Sequence, residues 1–199
     1  MNPHFIFNAL NSVQSFMLEN DTKQAAMYLS AFSKLSRSIL DNSRKEFITI
    51  TEETDTVKNY LKIQQLRKPD LFDFEIFVDK KIDTDFYLIP PMLTQPFIEN
   101  SLLHAFNNIK RKGKIEISFK KTENKLKVSV TDNGSGYSDK TNKNHKSQAT
   151  EITIERLKIL KKQTKTDIKF KIINLAEISA KSGTKVIFIL PLIKNTGNV

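Results

Sequence analysis

Apolar residues in the first part of the chain recur every three or four positions. Phe5, Ile6, Ala9, Leu10, Val13, Phe16 and Met17 form one such stripe, the spacing that keeps side chains on one face of a helix. Asn20 and Asp21 end it. A second stripe runs through Ala25, Tyr28, Leu29, Phe32, Leu35, Ile39 and Leu40, with Asp21 or Thr22 available as N-cap. Two helices joined by a short polar turn predict an antiparallel hairpin. Such a hairpin alone leaves much apolar surface uncovered, and a four-helix bundle formed by two chains would cover it, so a homodimer is expected. Residues 51–67 predict a third helix, with Glu52 and Glu53 well placed against its dipole and Val57, Tyr60, Leu61, Ile63 and Leu66 on its apolar face. Lys68, Pro69 and Asp70 stop it.

Beyond this point the period changes. Residues 71–78 read as a strand, and Pro90 and Pro91 as the opening of a helix that runs to about residue 107. Ile115, Ile117 and Phe119 alternate, Glu123 and Asn124 turn the chain, and Leu126, Val128 and Val130 alternate on the return, which predicts a hairpin. Residues 133–150 are rich in Gly, Ser, Asn and Lys, the composition of a long loop or lid. A helix over residues 151–162 and strands over 168–176 and 184–190 complete the series. The fold class expected is α+β: an N-terminal helical hairpin (residues 1–48), then an α/β sandwich of mixed sheet and helices (49–194) and a short tail (195–199).

With 39% hydrophobic and 27% charged residues among 199, the composition is that of a globular protein. The chain has no cysteine, which excludes disulfides and thiolate metal sites. No apolar run reaches the roughly 20 residues of a membrane-spanning helix. The net charge of +10 is uneven: residues 1–100 carry 11 basic and 14 acidic side chains, the rest 21 and 8. The lysines of the basic half fall on expected solvent faces and loops without interleaved aromatics, so no nucleic-acid binding is expected. An anionic ligand such as a triphosphate suits the same sign of field.

Four segments carry candidate chemistry. His4 lies at the start of the first helix, in Asn2-Pro3-His4-Phe5-Ile6-Phe7-Asn8-Ala9-Leu10-Asn11, and a neutral imidazole is a competent nucleophile towards a phosphoryl group. In Gln95-Pro96-Phe97-Ile98-Glu99-Asn100-Ser101-Leu102-Leu103-His104-Ala105-Phe106, Asn100 and His104 are one helical turn apart, while Phe97, Ile98, Ser101 and Leu102 can turn to the sheet. The Asn100 carboxamide oxygen suits a Mg²⁺ that already carries phosphates and waters. Asp132 ends a strand that opens into Asn133-Gly134-Ser135-Gly136-Tyr137, where a carboxylate can accept the exocyclic amine of adenine and the glycines permit a close backbone turn. Ser182-Gly183-Thr184 leads into the last long strand.

In order and spacing these segments resemble the LytS-like branch of sensor histidine kinases, within the GHKL-type superfamily of ATPases and kinases that includes gyrase, Hsp90 and MutL. The segment around His4 resembles that branch's phosphoacceptor box, Tyr60-Leu61-Lys62-Ile63-Gln64-Gln65-Leu66-Arg67 its linker helix, and residues 95–106 its N box. Residues 132–136 resemble its first glycine box and residues 182–192 its last. The resemblance implies autophosphorylation of His4 from ATP, with onward transfer to an aspartate of a response regulator. It assigns Asn100 to Mg²⁺, and Asn100, His104, Asp132, Gly134, Gly136, Ser182, Gly183 and Thr184 to the nucleotide. Arg156, in Thr153-Ile154-Glu155-Arg156-Leu157, resembles the arginine of the lid helix, where it would pair with phosphate.

Two departures stand out. The second glycine box is replaced by Ser147-Gln148-Ala149-Thr150-Glu151-Ile152, and Leu103 stands where a lysine often precedes the N-box histidine. Pro96 occupies the position at which the hydrolases of the superfamily place a water-activating glutamate, which favours a kinase. The alternative is a non-catalytic dimeric signalling module with a degenerate nucleotide site. The expectation is also of a piece of a longer protein, since Met1 falls inside the phosphoacceptor box. By the family pattern, a membrane-spanning or sensing region would lie upstream and these residues would form a cytoplasmic domain.

Overall fold

In the computed structural model the described residues are 3–107, 109–136 and 148–196; for 3–5 and 148–149 the backbone alone is described. The helical stripes become α1 (Pro3–Leu18) and α2 (Thr22–Ser43). Asp21 caps α2, its carboxylate accepting the Gln24 N–H at 2.9 Å. Phe16 and Tyr28 close the hairpin, with ring centroids 5.8 Å apart. Leu35 and Ile39 carry the buried stripe of α2 onwards.

Strand β1 (Ile48–Thr49) hands the chain from α2 to α3 (Ile50–Arg67). Thr49 and Glu52 form a capping box: the Thr49 hydroxyl accepts the Glu52 N–H at 3.0 Å, and the Glu52 carboxylate accepts the Thr49 N–H at 2.9 Å. Helices α2 and α3 are pinned by a polar node, where the Asn42 carboxamide donates to the Thr56 hydroxyl at 3.1 Å and Ser38 lies within 3.1 Å of the same oxygen.

The five-stranded sheet has the order β2-β4-β5-β7-β6, from β2 (Phe72–Val78), β4 (Gly113–Thr122), β5 (Lys125–Asp132), β7 (Thr184–Pro191) and β6 (Lys169–Asn174). Only the β2–β4 pair is parallel. Its core face follows from strict alternation: Ile115, Ile117 and Phe119, then Leu126, Val128 and Val130, then Val186, Phe188 and Leu190 are all buried. Helix α5 (Gln148–Thr164) adds Leu157 and Leu160 to the core. A smaller antiparallel sheet joins β1, β3 (Tyr87–Ile89) and β8 (Ile193–Lys194). This is the expected α+β architecture, a helical hairpin followed by a mixed-sheet sandwich.

Three expectations are corrected. The helix opened by Pro90 and Pro91 does not start there: β3 ends at Ile89, residues 91–94 turn, and α4 spans only Gln95–Asn100, with Pro96 inside its first turn where a missing N–H costs nothing. From Ser101 to Ala105 the chain widens into a π-turn. The strand expected to reach residue 176 ends at Asn174, whose side chain accepts the Ala176 N–H at 3.2 Å and starts a 3₁₀ turn, Leu175–Glu177. Strands β1, β3 and β8 were not anticipated, being too short for alternation to register. The lid expected within residues 133–150 falls largely outside the described residues.

Candidate active site around Asp132

Asp132 is the last residue of β5, on its buried side, and is only 6% exposed. A carboxylate so buried needs donors, and three elements supply them. The Gly134 N–H donates to Oδ1 at 2.9 Å, and the Thr184 N–H donates to the same oxygen at 3.2 Å from the start of β7. The Ser101 hydroxyl, at the first residue of the π-turn, lies 2.9 Å from Oδ2. It also lies 3.0 Å from the Phe97 carbonyl, and its single proton serves the charged acceptor better. Asp132 is thereby fixed in orientation, and Oδ2 keeps lone-pair capacity beyond the one protein donor.

The glycines around it permit close approach. A Cβ on Gly183 would overlap the Asp132 carbonyl oxygen, and its φ of +131° is one that L side chains rarely adopt. A Cβ on Gly134 would overlap Ala105 in the π-turn, against which the loop is also tied by the Ser135 N–H donating to the Ala105 carbonyl at 3.0 Å. Gly136, at φ +88°, faces the Asn174 side chain and the Gly183 carbonyl. The segments 132–136 and 182–184 thus form one cradle beneath α4 and its π-turn.

Asn100 closes α4, half-buried, and its carboxamide has no hydrogen-bond partner among the described residues. His104 is exposed in the π-turn. The winding widens after Asn100, yet residues four apart stay near one face in either winding, so Asn100 and His104 keep a shared side of the segment. Glu99 accepts the Gln95 carboxamide at 2.9 Å, and its charge reaches Tyr60 of α3, away from Asp132. Tyr60 has its phenol pushed up chiefly by burial.

The residues fit a nucleotide with its metal. Among the described residues no group of three or more His, Asp or Glu side chains could hold a metal ion alone. A Mg²⁺ here would draw on phosphate oxygens, waters and an uncommitted carboxamide such as that of Asn100. The guanidinium of Arg156 in α5 donates to the Pro91 carbonyl at 3.1 Å, in the turn before α4. His4 lies in the first turn of α1, and its side chain is outside the described residues.

A family model described as "Histidine kinase" matches residues 1–72. The sensor protein LytS of Staphylococcus epidermidis is 36% identical over 136 residues, 68% of this chain and 22% of that protein. The protein named sensor histidine kinase/phosphatase LytS in Staphylococcus aureus is 34% identical over 139 residues, 69% of this chain and 23% of that protein. The chain belongs to the LytS-like histidine kinases. It spans about a quarter of the length of these curated relatives. Among solved structures, the histidine kinase domain of the Erythrobacter litoralis blue-light activated kinase superposes with a TM-score of 0.54 at 15% identity, covering 88% of this chain and 83% of that one. The histidine kinase AdeS of Acinetobacter baumannii gives 0.51 at 10% identity, covering 95% and 98%. These likenesses show the fold.

In this LytS-like histidine kinase, ATP-dependent catalysis is the family's chemistry. Two side chains at the site had no signal in the sequence. Arg111 lies in a basic turn that reads as solvated, yet its guanidinium donates to both the Asn133 carbonyl and the Ser182 hydroxyl at 2.6 Å, tying the two glycine segments. Glu53 reads as a helix-dipole residue of α3, yet it is fully buried against the turn that precedes α4.

Proposed function

We propose that this chain is the kinase core of a two-component sensor, binding Mg·ATP in the cradle around Asp132 and transferring the γ-phosphoryl group to His4. The observation that carries the reading is the oriented, buried carboxylate of Asp132 beside the uncommitted carboxamide of Asn100. Asp132 accepts the adenine exocyclic amine, a neutral-base recognition that its fixed Oδ2 suits. Gly134, Gly136, Ser182, Gly183 and Thr184 shape the wall, with Asn100 and His104 towards the phosphates. Mg²⁺ held through Asn100 supplies charge neutralisation at the phosphates. A His4 ring nitrogen forms the new N–P bond while the bond to the β-phosphate bridging oxygen breaks, ADP leaves, and the imidazole releases its N–H proton. Arg156, now on the Pro91 carbonyl, is a further candidate for phosphate.

The division into a helical region over residues 1–48, an ATP-binding region over 49–194 and a tail belongs to the same proposal. Sensor histidine kinases as a class dimerise and signal to response regulators. For this chain we assign the dimer contact to α1 and α2, and transfer from His4 to an aspartate of a response regulator. A tie to a membrane would come from outside these residues, since no described helix is long and apolar enough to cross one.

The test is incubation with Mg²⁺ and γ-labelled ATP. Acid-labile, base-stable label on the wild-type chain, absent from His4→Gln, is the result expected. Label that persists in His4→Gln would place the acceptor elsewhere.

A further inference from the structure

We infer that Glu53 is a positioning residue for the nucleotide site: from α3 its carboxylate clamps residues 92–94 and so sets where α4 presents Asn100. The inference rests on the nucleotide reading proposed above.

Glu53 is 1% exposed and no cation pairs with it among the described residues. Its Oε2 accepts the Met92 N–H at 3.0 Å, and its Oε1 accepts both the Thr94 N–H at 3.2 Å and the Thr94 hydroxyl at 2.9 Å. Both oxygens act as acceptors, the pattern of an ionised carboxylate. Burial pushes its pKa up, and the N–H groups of residues 92–94 offset part of that rise. A buried, unpaired carboxylate is a costly way to add stability. What it provides is geometry, because each donor sits on backbone immediately ahead of α4.

That backbone needs holding. Met92 has φ +57°, an uncommon conformation for a side-chain-bearing residue. Thr94 is fully buried directly before Gln95, the first residue of α4, and Asn100 is the last. Arg156 of α5 also donates to this turn, at the Pro91 carbonyl. One turn along α3 from Glu53, Thr56 accepts the Asn42 amide of α2. A continuous set of contacts therefore runs from the hairpin through α3 to the turn that aims α4.

A residue that positions Asn100, and not Asp132, should matter for metal-dependent binding alone. Equilibrium dialysis of the whole chain with ATP, with Mg²⁺ and with EDTA, tests this. Glu53→Gln is expected to weaken Mg·ATP binding about tenfold, the equivalent of one charge-assisted contact, while metal-free binding changes less than about twofold. Thr94→Val, which removes one hydroxyl donor and keeps the volume, should show the same selectivity at about threefold and covers the case in which Glu53→Gln does not fold. Unchanged Mg·ATP binding, or parallel loss in both conditions, would overturn the inference. A wild-type chain that binds neither form would instead overturn the nucleotide reading on which it rests.

Discussion

At the scale of single residues, the chemistry of the site comes down to how two buried carboxylates are satisfied. Asp132 takes donors from the loop after β5, from the start of β7 and from the π-turn. Replacing it with Asn would turn an amide group towards N–H donors, so Asp132→Asn should lose nucleotide affinity by tenfold or more, about 1.5–3 kcal/mol for a hydrogen bond to a charged group. Equilibrium dialysis reads that loss. Glu53 makes a pH prediction. Its pKa is raised in the folded chain, chiefly by burial. As pH falls through that raised value the folded state takes up a proton before the unfolded state does, so the cost of burying the charge is relieved. The stability of wild type relative to Glu53→Gln, measured by urea unfolding, should rise as pH drops from above that value towards the ordinary glutamate range. Glu52 works in the opposite sense. Burial alone would raise its pKa, but the Lys45 ammonium and Thr49 outweigh burial and hold it down, so its contribution fades on acidification. At this scale the sequence shows residue types but not partners: Asp132 was legible because a strand-ending Asp before two glycines is a pattern, whereas Arg111 and Glu53 look like ordinary surface charges until distant backbone folds onto them.

At the scale of elements, local signals were sufficient wherever they were strong. The stripes of α1 and α2, the stop after α3 and the alternation of β4 and β5 all specify their own structure. The N-box segment resisted because its shape is tertiary. Two prolines matched the rule for a helix start, yet a different one, Pro96, occupies the first turn of α4, and the preceding turn is held by Glu53 and Arg156. The π-turn has no sequence signature of its own. Its position next to Asp132 follows from Ser101 and from Gly134 packing against Ala105. Two substitutions test these devices. Gly183→Ala forces a side chain into left-handed backbone against the Asp132 carbonyl and should cost at least about 1–3 kcal/mol in denaturant melts. Thr49→Ala removes one half of the α3 capping box and should cost about 1 kcal/mol.

For the whole molecule, the two regions differ in what they leave exposed. The sandwich buries one sheet face and leaves exposed apolar residues spread over several elements, among them Phe77, Ile159 and Ile178, whereas the hairpin leaves Phe7, Leu10, Met17 and Leu18 of α1 and Met27, Leu29 and Leu40 of α2 open to solvent on two adjacent helices. That much apolar surface on two adjacent helices is the reason to assign the dimer contact there. Leu10→Glu combined with Met17→Glu should convert a dimer to a monomer in analytical ultracentrifugation while preserving helical content. The architecture itself was readable from the order of periods along the chain, helix-like up to residue 67 and then strands interleaved with two further helices. What periodicity could not supply was the joining of distant segments into a single cradle, since residues 101, 132, 134 and 184 meet only through the register of β5 with β7 and the placement of α4 over them.

The central claim, that a nucleotide bound at Asp132 phosphorylates His4, separates acceptor from binding site and is tested by reading both in the same sample. With γ-labelled ATP and Mg²⁺, bound nucleotide and acid-labile label are measured together for three chains. Wild type is expected to show both, His4→Gln to bind nucleotide as wild type does and carry no label, and Asp132→Asn to lose both. Label retained by Asp132→Asn, or nucleotide binding lost with His4→Gln, would contradict the central claim.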